Sequence, residues 1–97
     1  MHSVKVYVKL LETIKGKEAY KIGITSQSPP NRRLNGYGNE FREMEMITKH
    51  RSKEIMKGLE KELIGLCSHD LRCKNISGGG TGNLDGGEMY WLYVAFN

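Results

Sequence analysis

Apolar and polar residues alternate at the start of the chain, where Val4, Val6 and Val8 interleave with Lys5, Tyr7 and Lys9. A period of two over such a run predicts a strand from Val4 to Leu11. Ala19 to Thr25 repeats the rhythm, with Ile22 and Ile24 on one side and Lys21 and Gly23 on the other. Lys15-Gly16-Lys17 between the two runs reads as a turn, so the first two strands are expected to form an antiparallel hairpin. Ser28 suits an N-cap, and Pro29 and Pro30 suit a first helical turn, which predicts a short helix from Pro30 to Asn35. Phe41 to Thr48 predicts a third strand. From Ser52 to Ser68 the period becomes helical, as Ile55, Met56, Leu59, Leu63, Ile64, Leu66 and Cys67 recur on one side. Glycines at 78, 79, 80, 82, 86 and 87 predict a long loop. Tyr90 to Phe96 is a short apolar closing element whose type the pattern leaves open. The sum is one α/β (α+β) domain over residues 1–97, a three-stranded antiparallel sheet flanked by helices.

Composition narrows the class. A chain of 97 residues buries a single modest core. Its 38% hydrophobic and 27% charged residues suit a folded soluble domain and argue against disorder. A net charge of +4 is compatible with a polyanionic partner without requiring one. Cys67 and Cys73 form no CxxC pair and have no zinc-ligand set around them, so they read as two reduced thiols. The N-terminus lacks the apolar stretch of a signal peptide, and no run approaches the roughly 20 apolar residues of a membrane span. A cytoplasmic protein is expected, working in a host cytoplasm if its source is viral.

Two features carry candidate chemistry. Glu60 lies four residues after Met56 and three, four and seven before Leu63, Ile64 and Cys67. Helical geometry therefore points it to the apolar side. A carboxylate facing a core is costly unless it is paired or binds a cation. A salt bridge to a nearby Arg or Lys and a hard divalent ion are both open readings. The second feature is the polar side of the expected hairpin, where Tyr7 would lie beside Lys21 and Gly23. A glycine inside a strand often marks close approach of a ligand or another backbone. Arg32, Arg33 and Tyr37 follow, and an arginine fork matches phosphate oxygens. Taken singly, each of these residues reads first as an ordinary strand tyrosine or a solvated arginine.

In order and spacing these residues resemble the GIY-YIG nuclease superfamily. Lys5-Val6-Tyr7 stands for the first tripeptide, of which the tyrosine is literal. Lys21-Ile22-Gly23 stands for the second, with Lys in the usual place of Tyr, and Tyr20-Lys21-Ile22-Gly23-Ile24-Thr25 is similar to a phage-associated subgroup. Arg32-Arg33-Leu34 matches the family's basic motif, with Arg33 the favoured register and Arg32 the other. Tyr37 follows four residues on. Glu60-Lys61-Glu62-Leu63-Ile64 matches the metal-binding glutamate, and Asn75-Ile76 the asparagine beyond the helix, ahead of Asn83.

The resemblance implies a metal-dependent DNA endonuclease. Glu60 would hold Mg²⁺ or Mn²⁺, Tyr7 would be the general base, Lys21 would favour its phenolate or touch phosphate, and Arg33 and Tyr37 would act on the phosphate. Gly23, Arg32, Lys49, Arg51 and Asn75 are the further residues expected at DNA. The appended DNA-binding domain of many relatives is absent from these residues. Affinity is then expected from the basic surface around Lys49, His50, Arg51 and Lys53, from a homodimer or from a partner protein that supplies specificity. The alternatives are a catalytically inactive DNA-binding module and a protein-interaction module on the same fold. A nucleotide-phosphate cradle at Gly78-Gly79-Gly80-Thr81-Gly82 lacks the GK[ST] ending such loops need.

Overall fold

The computed structural model describes residues 3–26, 41–75 and 89–97. Five elements follow one another: α1 (Ser3–Ile14), β1 (Tyr20–Thr25), β2 (Glu43–His50), α2 (Lys53–Leu66) and β3 (Tyr90–Phe96). The strands form one antiparallel sheet in the order β1-β3-β2. The last strand is the central one. Its sequence, YWLYVAF, is aromatic and β-branched, and Leu92, Tyr93, Val94 and Ala95 are all buried. A continuous apolar run of this kind belongs to a strand covered on both faces. It pairs with β1 from Tyr20↔Phe96 to Thr25↔Trp91, and with β2 from Glu43↔Phe96 to His50↔Tyr90.

Both helices lie on one face of the sheet. Val6, Leu10 and Ile14 of α1 and Met56, Leu59, Leu63, Ile64 and Cys67 of α2 share a core with Ile22, Ile24, Ile47, Leu92, Val94 and Phe96. α2 packs mainly over β1, and α1 mainly over β2. On the opposite face Phe41, Tyr93 and Ala95 form a smaller cluster with Ala19, Met44 and Met46. The expected three-stranded antiparallel sheet with helices is present in this coarse sense, as is the long helix. Ser52 is the N-cap of α2, its hydroxyl accepting from the Ile55 N–H at 3.2 Å.

The first element departs from expectation. Val4 to Leu11 is helical, and no hairpin joins it to β1, whose strand neighbour is β3. Val6, Leu10 and Ile14 recur every four residues and face the core, which is the helical period. The valines mimic a strand because they occur on both sides of the helix: Val6 is buried, whereas Val4 and Val8 are exposed. Lys15-Gly16-Lys17 accordingly ends a helix. Gly16 has φ of 76°, a left-handed residue that glycine adopts without strain, and the Lys17 N–H donates to the Ile14 carbonyl at 3.0 Å. The short helix expected at Pro30–Asn35 and the glycine-rich loop lie outside the described residues. Among the described residues no helix is long and apolar enough to cross a membrane.

Gly23 has a specific reason to be glycine. It pairs directly with Tyr93 on β3, and a methyl group there would run into the Tyr93 phenol. Gly23→Ala is expected to cost about 1–3 kcal/mol by overpacking. The cost should shrink when Tyr93 is replaced by Leu in the same background. Urea denaturation of the two single variants and the double variant measures the coupling.

Candidate functional site

Met56, Leu59 and Leu63 fix α2 on the sheet, and that packing carries Glu60 inward with them. Its side chain is 3% exposed, and Oε2 is buried with no hydrogen-bond partner. Loss of hydration is the main influence on its acidity and pushes the pKa up to about 7 from 4.5. The positive charges of Lys57 and Lys21 pull the other way without overcoming it. Near neutral pH Glu60 is therefore poised between the acid and the carboxylate. A buried oxygen without a donor is the kind of group that a hard cation satisfies.

Lys21 stands on β1, half-buried, between Tyr20 and Ile22 of the core. Strand alternation turns its side chain to the face where Gly23 meets Tyr93, opposite the helices, and only its charge reaches Glu60. Asn75 is held to the same strand. Its Nδ2 donates to the Ile22 carbonyl at 2.8 Å, and the Ile22 N–H donates to its Oδ1 at 2.9 Å. Just before it, the Tyr20 N–H donates to the Arg72 carbonyl and the Lys74 N–H to the Tyr20 carbonyl. Arg72 to Asn75 therefore closes the outer edge of β1, with the Asn75 amide acting in place of a backbone unit. That bonding accounts for Asn75 as an edge seal.

Other expected members are placed differently. Tyr7 sits on α1, half-buried against the helix-side core, so it does not stand beside Lys21 and Gly23 across a hairpin. α1 is tied to β2, the far edge of the sheet, where Lys9 Nζ donates to the carbonyls of Met46 at 3.3 Å and Ile47 at 3.1 Å. The missing side chain of Gly23 is explained by Tyr93. Lys49 and Arg51 are exposed at the C-terminal end of β2. Lys49 pairs with Trp91 in the sheet row that also holds Thr25, whereas Lys21 lies at the other end of β1, opposite Ala95. Arg32, Arg33 and Tyr37 lie outside the described residues. Those residues contain no group of three or more His, Cys, Asp and Glu side chains able to hold a metal ion.

One cluster has no counterpart in the sequence reading. The buried Tyr20 hydroxyl donates to Asp70 Oδ2 at 3.0 Å. Arg72 grips the same carboxylate through Nε and Nη2, the latter at 2.8 Å. Its Nη1 donates to the carbonyls of Ile14 at 3.0 Å and Lys17 at 3.3 Å, capping the end of α1. Burial, followed by bonding to Cys67 and Asp70, drives the Tyr20 phenol far above its ordinary pKa. Arg72 holds Asp70 below the usual carboxylate range. Every polar end is satisfied, so this is a lock between α1, β1 and the segment after α2. The only signal in the sequence was Asp70-Leu71-Arg72, a pair at a spacing of two.

The chain matches no family model, and no curated protein or solved structure matches it.

Two measurements test this geometry. As pH rises past 4.5 the unfolded chain ionises at Glu60 while the folded chain keeps its proton until about 7. The folded state then binds more protons, so stability falls between these pH values and levels off above them, by on the order of 3 kcal/mol. Glu60→Gln should abolish that slope in urea titrations run across pH. Asn75→Ala removes both bonds to Ile22 and should lower stability by about 1–3 kcal/mol, with faster exchange of the Ile22 amide hydrogen.

Proposed function

We propose that this protein is a metal-dependent endonuclease that hydrolyses DNA phosphodiester bonds, with Glu60 as the metal ligand and Lys21 as a phosphate contact. The observation that carries the reading is Glu60 itself: a buried carboxylate with an unpartnered oxygen, within the field of a lysine on the neighbouring strand. The donor chemistry fits Mg²⁺ or Mn²⁺, since one carboxylate completed by water is a normal set for such ions. When bound, the ion supplies Lewis-acid stabilisation of the phosphate. Glu60 must give up its proton to hold it, so metal binding and proton release are coupled there. Lys21 offers ammonium donors to a phosphate oxygen, where they offset charge that develops during hydrolysis. The resemblance adds Arg33, or Arg32 in the neighbouring register, and Tyr37 as further phosphate contacts. Lys49 and Arg51 add exposed positive charge for the flanking backbone. With Tyr7 on α1, the general-base role that the resemblance implies for it has no geometric support.

A second reading rests on that same helix. A chain with α1 in place of the first strand lacks one half of the family's hairpin, which favours a basic module that binds DNA without cutting it.

Nicking of supercoiled plasmid with Mg²⁺ or Mn²⁺ separates the two. Lys21→Ala should cut the rate by about 100-fold, the scale for one lost transition-state donor, and Glu60→Gln by no less. Tyr7→Phe should leave it within a few-fold. Nicking that persists in Glu60→Gln refutes the assignment. A salt-sensitive gel shift without any nicking supports the binding module.

A further inference from the structure

α1 carries two apolar faces, and only one is used. Val6, Leu10 and Ile14 enter the core. Val4, Val8 and Leu11 follow one another at intervals of four and three on the opposite side, and they are 72%, 48% and 43% exposed. That spacing is the 4-3 rhythm of a helix seam that packs on another helix. Two of the three are valines, which are poor helix formers, so neither helix propensity nor solubility accounts for them. Beside α1, α2 leaves Ile55 and Leu66 exposed as well.

The charges flanking the seam say what covers it. Lys5 and Glu12 are exposed and seven residues apart, so they share one flank of the stripe. They follow Val4 and Leu11 directly, which places both at the same heptad position. In a parallel helix pair, flanking residues from opposite sides of the seam face each other, and Lys5 and Glu12 would not meet. In an antiparallel pair of identical helices, this flank of one copy faces the same flank of the other. Running in opposite directions about a centre between Val8 and Lys9, Lys5 of each copy then faces Glu12 of the other, twice over. We infer that α1 is the interface of an antiparallel homodimer, with Val4, Val8 and Leu11 in the seam and two reciprocal Lys5–Glu12 pairs at its border. Such an interface is isologous and closes on itself. A single pair of helices this short buries less than the roughly 1,200–2,000 Å² of a stable complex. The dimer is accordingly expected to be weak and dependent on concentration.

Sedimentation equilibrium of the full chain over a concentration series tests the inference. The wild type should pass from monomer to dimer. Val8→Asp, at the centre of the seam, should raise the dissociation constant at least about tenfold, the scale of 1.4 kcal/mol. Circular dichroism checks its fold. The charge variants do not touch the core and decide the orientation. Lys5→Glu and Glu12→Lys should each weaken self-association. An equimolar mixture of the two should restore dimers as heterodimers, because every border pair again joins opposite charges. A wild type that stays monomeric throughout, or a mixture that associates no better than its components, overturns the proposal.

Discussion

The fold depends on Tyr90–Phe96 taking its place between β1 and β2, which have no pairing with each other. Until that strand is in position there is no sheet, and the apolar faces of both helices have nothing to cover. The register is pinned at Gly23 and Tyr93, where one residue's missing side chain makes room for the other's ring. A slip by one residue would turn Leu92, Val94 and Phe96 away from the helices and expose the whole helix-side core. The site inherits its geometry from this arrangement. Glu60 is inward because α2 lies over β1, and the charge of Lys21 on that strand reaches it.

Much of this was legible in the sequence, and the failures have physical causes. The helix from Lys53 and the strands at Tyr20 and Glu43 were readable because each carries a single period in its sequence. Glu60 stood out for the same reason, as an acid in an otherwise apolar helix stripe, and its burial bears out the direction expected for it. Val4 to Leu11 misled because two rhythms coexist there. Valines at 4, 6 and 8 satisfy period two, while Val6, Leu10 and Ile14 satisfy the helix. Tertiary packing chose the second, since the core needed a stripe over β2. Tyr90 to Phe96 left its type open because a strand buried on both faces has no alternation to read.

Long-range polar geometry was the least legible. Nothing local told that Asn75 would seal the edge of β1, or that Arg72 would cap a helix ending 58 residues earlier. Gly23 was recognised as a place of close approach, but what approaches is Tyr93, a residue 70 positions away in the chain. These contacts account for conspicuous residues through folding alone. They leave Glu60 as the conspicuous residue whose buried oxygen no fold contact satisfies.

The most direct test is where a paramagnetic ion settles. In ¹⁵N–¹H correlation spectra titrated with substoichiometric Mn²⁺, broadening should centre on the amides around Glu60 and on Lys21 and Ile22 across from it. Glu60→Gln should erase that pattern. Broadening centred instead on Asp70 or the exposed acids of β2, unchanged by the Glu60 substitution, would contradict the assignment of the buried carboxylate as a metal ligand.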